Sequence, residues 1–212
     1  MFDNQFRILL DQKGKFLLLP FIKLGIIPNQ VTIFGFCLSI LSACFIATNH
    51  TVFGIIVWWA SRLLDGLDGL LARETNQKTL FGGYLDILLD MASYSSIVIG
   101  FSFVYPQYNK FWLFILVGYV LSISSTLALS SLIESRKQQT NIIPDKSFNI
   151  SQQNRSLFFT FSLAEAGETS IIYTAFIIFP FYVQYIAIFW ILLMLAAILQ
   201  RSFIAYSLLK ED

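Results

Sequence analysis

Six long apolar runs, parted by short polar breaks, dominate the 212-residue chain. They cover residues 31–48, 52–71, 82–104, 111–133, 156–179 and 182–208. The hydrocarbon core of a bilayer is about 30 Å thick and takes roughly 20 apolar helical residues to cross. Inside it every backbone N–H and C=O must be bonded internally, which a helix does on its own. The runs therefore predict an all-α fold, a six-transmembrane-helix bundle. Composition agrees: 56% of the residues are hydrophobic and 13% are charged, against about 25% charged in a soluble domain. That balance excludes a disordered chain, a collagen-like chain and a nucleic-acid-binding module, and argues against a water-soluble globule.

The segment 1–27 reads differently. It mixes Phe and Leu with Arg7, Lys13, Lys15 and Lys23, which predicts an N-terminal amphipathic juxtamembrane helix on the membrane surface. The transmembrane domain then occupies 28–212. Asp3, Arg7, Asp11, Lys13 and Lys15 leave no room for a cleavable signal peptide in the first 20 residues. Twelve Lys and Arg fall in the N-terminal segment, after the second run, after the fourth run and in the C-terminal tail, whereas the opposite junctions hold only Lys110. The positive-inside rule then puts both termini in the cytoplasm. Cys37 and Cys44 are seven residues apart on one predicted helix, too far along it to bond each other. With His50 as the single histidine, a zinc site built on Cys and His is excluded.

Four aspartates interrupt the apolar pattern. Asp65 and Asp68 are three residues apart near the end of the second run, and Asp86 and Asp90 are four apart near the start of the third. Each spacing places its pair on one helix face. The connection at 73–81 is short, so the two helices should be antiparallel neighbours with the four carboxylates facing one another. A carboxylate in a bilayer costs roughly 2.5–3.5 kcal/mol on insertion scales. One aspartate at a helix end is an ordinary interface residue; two pairs across one hairpin are not. Arg62, Arg73 and Lys78 read as too few and too peripheral to balance them. An all-oxygen set suits Mg2+ or Mn2+, and four carboxylates suffice for two ions. Gly69, Ala72 and Gly82 keep the neighbouring backbone open to a ligand. Arg73 can clamp a phosphate. Metals with an arginine clamp are equipment for phosphoryl-group transfer.

At these residues the sequence resembles the CDP-alcohol phosphatidyltransferase family. The family pattern is D-x2-D-G-x2-A-R-x8-G-x3-D-x3-D, and Asp65, Asp68, Gly69, Ala72, Arg73, Gly82, Asp86 and Asp90 match every fixed position and every gap. Pro28-Asn29-Gln30-Val31-Thr32 is similar to the P-N-x-x-T that precedes the family's first span. The resemblance implies transfer of a phosphatidyl group from a CDP-linked lipid, usually CDP-diacylglycerol, to an alcohol, with release of CMP. It implies metal ligation by Asp65, Asp68 and Asp86 with Asp90 close by, and Asp90 as the general base. It implies a CDP site formed by Asn29, Thr32, Gly69, Ala72, Arg73, Thr79 and Gly82. A homodimer in the inner membrane of a bacterium, with the active site on the cytoplasmic side, is expected on the same ground.

The acceptor alcohol is not named by these residues. Glu165 and Glu168 share a helix face in an apolar region. They read either as acidic residues favoured at a helix N-terminus or, with Arg155 and Arg201, as the lining of an acceptor pocket. Acidic residues suit a polyol or an amine-bearing alcohol, whereas a phosphorylated acceptor needs a basic cluster such as Lys137, Arg155 and Arg201. Two other functions share some of the pattern. An intramembrane prenyltransferase pairs aspartates and Mg2+ with an isoprenoid diphosphate, but gives the glycine–alanine–arginine spacing no role. A divalent-cation transporter would place its carboxylates at the midplane and commonly shows broken inverted repeats.

Overall fold

A computed structural model of the chain describes residues 17–142 and 166–209. Residues 17–23 are helical. Six α-helices follow among the described residues: α1 (Pro28–Ala47), α2 (Thr51–Glu74), α3 (Leu80–Val104), α4 (Asn109–Ile142), α5 (Ala166–Ile178) and α6 (Val183–Leu209). The described residues contain no strand. Each apolar run thus contains or contributes to a helix.

The breaks have local causes. Pro28 opens α1, where its fixed φ fits and its missing N–H costs nothing. Asn49 and Asn76 adopt φ of 65° and 55° in the turns on either side of α2; asparagine tolerates this left-handed region better than most residues. Thr79 caps α3, its Oγ1 accepting from Gly82 N at 2.9 Å. The turns Pro106–Tyr108 and Pro180–Tyr182 lead into α4 and α6. Helix α4 extends to Ile142, beyond the apolar run that ends at 133. Its continuation holds Glu, Arg, Lys and Gln, all good helix formers, and the first proline is Pro144.

By length and composition, four helical segments can cross a membrane: Pro28–Ala47, Leu80–Val104, Pro106–Ser135 and Pro180–Ser207. Helix α2 has 24 residues but carries Arg62, Asp65 and Asp68. The described part of α5 has 13 residues, with an apolar stretch over Gly167–Ile178. The outer surface is apolar, with Phe34, Phe53, Phe103, Phe114, Phe189 and Leu199 exposed. Such a surface suits lipid and would drive aggregation in water.

Small residues bring the first three helices together. A Cβ on Gly54 would lie 2.5 Å from Ile46 Cγ1, and one on Gly100 would lie 2.8 Å from the Ala43 carbonyl oxygen. Ser42 donates to Gly54 O at 2.7 Å, Ser61 to Gly35 O at 2.8 Å and Ser39 to Ser93 Oγ at 2.7 Å. Close backbone approach with hydroxyls as glue holds helices together in lipid, where burial of apolar surface drives nothing. An aromatic core lies deeper in the bundle, around Trp58, Tyr94, Phe101, Trp112, Tyr173 and Phe176. It is cross-linked by Trp58 Nε1 donating to Ser170 Oγ at 3.1 Å and by Tyr173 donating to Tyr94 O at 3.0 Å. A second cluster seats Leu18 against Val31, Leu67, Leu70 and Leu71, which docks the helical stretch 17–23 onto α1 and α2. Leu17, Leu19 and Ile22 point outward. The rest of the expected surface helix falls outside the described residues.

Candidate active site

Helices α2 and α3 carry the site, and α1 supports it from behind. Three residues after Asp65, α2 presents Asp68 on the same face; one loop later α3 presents Asp86. One carboxylate oxygen from each of Asp65, Asp68 and Asp86 lies within 4.8 Å of the others. Asp68 is buried, Asp65 half-buried and Asp86 exposed, so the cluster opens on the Asp86 side. Thr32 of α1 donates to Asp68 Oδ2 at 2.5 Å. A residue expected at the nucleotide thus also fixes a carboxylate of the cluster.

Asp90 stands one turn deeper. Its Oδ1 accepts from Arg62 Nη1 at 2.6 Å, and the same nitrogen lies 3.5 Å from Asp65 Oδ2. Arg62 is therefore not peripheral, as its place in the sequence suggested. It is 8% exposed, and its guanidinium lies 4.6 Å from the Trp58 ring centroid and 5.2 Å from that of Tyr94. Two carboxylates, Asp65 and Asp90, meet this buried cation, and Asp68 and Asp86 cluster with Asp65. Like charges so close destabilise one another unless further positive charge joins them. Three hard oxygen donors from two helices, with no sulfur or imidazole among them, are the set a Mg2+ or Mn2+ ion prefers. The residues present fit such an ion.

The residues expected to hold the nucleotide gather at the same end. A Cβ on Gly82 would lie 3.0 Å from Thr79 Oγ1 and 3.1 Å from Asn29 Oδ1. The bare backbone at Gly82 lets these two side chains close in from α1 and from the cap of α3. Arg73, in the last turn of α2, brings its Nη1 to 3.5 Å from a Cβ built on Gly69. Its side chain thus folds back along α2 toward the cluster. Ala72, between them in sequence, is half-buried.

The acceptor candidates are less completely placed. Glu168 is half-buried in the first turn of α5. Arg201 of α6 donates through Nη1 to Ser122 O at 3.0 Å and to Ser122 Oγ at 2.8 Å, which ties α6 to α4. Glu165 and Arg155 fall outside the described residues.

Residues 25–209, which include every described element of the site, match the family described as CDP-alcohol phosphatidyltransferase. The chain belongs to this family. It is accordingly a transferase of phospholipid synthesis that handles substituted phosphate groups. The chain is 33% identical to Inner membrane protein YnjF of Escherichia coli over 161 residues, 74% of this chain and 72% of that protein. It is 38% identical over 86 residues to CDP-diacylglycerol–inositol 3-phosphatidyltransferase of Candida albicans, 41% of this chain and 37% of that one. The fold is similar to that of Mycobacterium tuberculosis phosphatidylinositol phosphate synthase (PgsA1). With CDP-DAG bound, that structure gives a TM-score of 0.57 at 20% identity over 92% of this chain and 94% of that one. Crystals of PgsA1 with manganese and citrate give a TM-score of 0.56 over 90% and 87%.

In this phosphatidyltransferase the feature least legible in the sequence is the setting of Arg62. One signal was available. A lone arginine within a span, three residues before an aspartate, demands a buried partner. That the partner would be Asp90 on the next helix, and that Trp58 and Tyr94 would flank it, depends on packing that no spacing reveals.

Proposed function

We propose that this transferase moves the phosphatidyl group of CDP-diacylglycerol to a small alcohol and releases CMP. One observation carries the proposal: Asp65, Asp68 and Asp86 converge from two helices within 4.8 Å, beside a fourth carboxylate held by a buried arginine. In this reading Asp65, Asp68 and Asp86, with Asp90 adjoining, hold two Mg2+ or Mn2+ ions. When bound, the ions supply charge neutralisation of the diphosphate and stabilisation of CMP as a leaving group. The manganese in PgsA1 crystals supports the class of metal.

The chain's own residues do the rest. Asn29, Thr32, Thr79, Gly69, Ala72 and Gly82 cradle the CDP group, and Arg73 clamps a phosphate oxygen at the mouth. Asp90 accepts the proton of the acceptor hydroxyl. The freed oxygen bonds to the lipid-linked phosphorus, and the bond from that phosphorus to the CMP oxygen breaks, its electron pair leaving with CMP. The acceptor is a small alcohol met by Glu165, Glu168, Arg155 and Arg201. The inositol-linked names of the Candida and mycobacterial relatives support a polyol or its phosphate.

The arrangement in the membrane is part of the proposal. Residues 28–212 form six spans, α2 being polar because it contains the site, and 1–27 lies along the surface. Both termini and the active site face the cytoplasm of a bacterial inner membrane, a location supported by the name of the E. coli relative. The enzyme is a homodimer. The experiment is to incubate purified protein with CDP-diacylglycerol, Mg2+ and a panel of alcohols, then to measure CMP and identify the lipid product. Release of pyrophosphate from an isoprenoid diphosphate, or metal uptake into vesicles without a lipid product, would replace this reading with one of its rivals.

A further inference from the structure

The mechanism above leaves Arg62 without a role, yet its guanidinium meets two carboxylates, two hydroxyls and two aromatic rings. A guanidinium inside a membrane helix is costly and is retained where it meets a functional partner. Its contacts define that partner. Nη1 donates to Asp90 Oδ1 at 2.6 Å, whereas Asp65 Oδ2 lies at 3.5 Å. Trp58 and Tyr94 offer ring faces at 4.6 and 5.2 Å from the guanidinium, within cation–π range. The Tyr94 hydroxyl and Ser61 Oγ each accept from it at 3.3 Å. Ser61 is itself anchored by donating to Gly35 O at 2.8 Å. The clamp belongs to the rigid core: Trp58 is fully buried and Tyr94 is 5% exposed. A planar cation held at its faces and at its fork cannot turn away from Asp90.

We propose that Arg62 is the positioning residue for Asp90: the guanidinium, clamped by Trp58 and Tyr94, fixes one carboxylate oxygen of Asp90 and reserves the other for the acceptor hydroxyl. The inference rests on the reading of Asp90 as the base. It explains a division among the four carboxylates that the sequence motif does not express. Asp65, Asp68 and Asp86 form the three-ligand cluster, while Asp90 is drawn toward α2 by Arg62. A lysine could supply the charge but neither the fork nor the stacking.

The test compares wild type, Arg62→Lys and Tyr94→Phe as full-length protein, with CDP-diacylglycerol, Mg2+ and whichever alcohol of the panel wild type accepts. Loss of a supporting residue typically costs about 10- to 100-fold. Arg62→Lys should lower kcat by about that factor, with KM for CDP-diacylglycerol and the Mg2+ activation midpoint within about twofold of wild type. Tyr94→Phe keeps the ring and removes one acceptor, so it should lower kcat by about two- to fivefold with the same split. Wild-type kcat in Arg62→Lys overturns the proposal. A kcat loss that appears only together with a raised Mg2+ midpoint also overturns it, because Arg62 would then serve Asp65 and the metal cluster. If Arg62→Lys yields no folded protein, Tyr94→Phe decides, and an unchanged kcat there overturns the proposal. Failure of wild type to release CMP with any alcohol sinks the functional reading instead, and is told apart by needing no variant.

Discussion

At the scale of single residues, the roles proposed for the four aspartates are two, and each gives a distinct expected defect. Asp90 lies outside the three-oxygen cluster and bonds to Arg62 at 2.6 Å, so its loss should spare the metals and the nucleotide. Asp90→Asn should lower kcat by at least about 10²-fold, the usual contribution of a general base. Binding of CDP-diacylglycerol, measured at equilibrium, should change by no more than about threefold. Near-normal turnover in this variant would remove Asp90 from the chemistry. Asp65 belongs to the cluster, so Asp65→Asn should raise the Mg2+ concentration needed for half-maximal activity by at least about tenfold. Chelation of wild type should abolish CMP release, and added Mg2+ or Mn2+ should restore it. Activity that survives exhaustive chelation would contradict a metal role for Asp65, Asp68 and Asp86. These residues were legible in the sequence because the requirement is local: spacings of three and four set a helix face. The partnership of Arg62 with Asp90 was not, since it joins residues 28 apart in sequence through the packing of α2 on α3.

At the scale of the elements, the site depends on how closely α1 lets α2 and α3 approach. Gly100 of α3 faces the backbone of α1, where a Cβ would stand 2.8 Å from the Ala43 carbonyl oxygen. A carbonyl cannot rotate aside as a side chain can, so Gly100→Ala must push the helices apart. Overpacking of this kind costs about 1–3 kcal/mol and should lower the thermal unfolding midpoint of the purified protein. Gly83 lies on the same helix with nothing within 4 Å of a built Cβ. Gly83→Ala should leave the midpoint unchanged or raise it slightly, since alanine favours helix by about 1 kcal/mol. Equal effects of the two substitutions would show that helix propensity, not interhelical contact, sets stability here. The helix ends were readable from the residues. Asn49-His50 marks a turn, and Pro106 and Pro180 end the preceding helices. The far end of α4 was not, because the change from apolar to polar residues at 133 suggests a stop that the backbone does not make. Polarity ends a membrane span without ending a helix, and α4 runs on through polar residues that favour helix to Ile142.

For the whole molecule, the arrangement of charge ties the chemistry to one side of the membrane. Arg73 and Lys78 flank the loop between α2 and α3, beside the aspartate cluster, whereas Lys110 stands alone at the opposite junctions. Orientation in the bilayer follows the asymmetry of Lys and Arg in short loops, so the loop that carries the site should face the cytoplasm. Gln77 in that loop and Gln107 in the turn before α4 are both exposed, and α3 separates them. They make a matched pair for labelling. In a background with Cys37→Ala and Cys44→Ala, Gln107→Cys should react with a membrane-impermeant maleimide applied to intact spheroplasts. Gln77→Cys should react only after the membrane is opened. Helix α3 has 25 residues, about 37 Å at 1.5 Å per residue, longer than the hydrocarbon core, so the two positions cannot share a surface if α3 spans. Labelling of both from outside would deny that α3 crosses. Labelling of Gln77→Cys alone would invert the protein and turn the aspartate cluster away from cytoplasmic CDP-linked donors. The measurement therefore bears on the reaction as well as the topology, because a nucleotide-releasing site must open where its nucleotide is recovered.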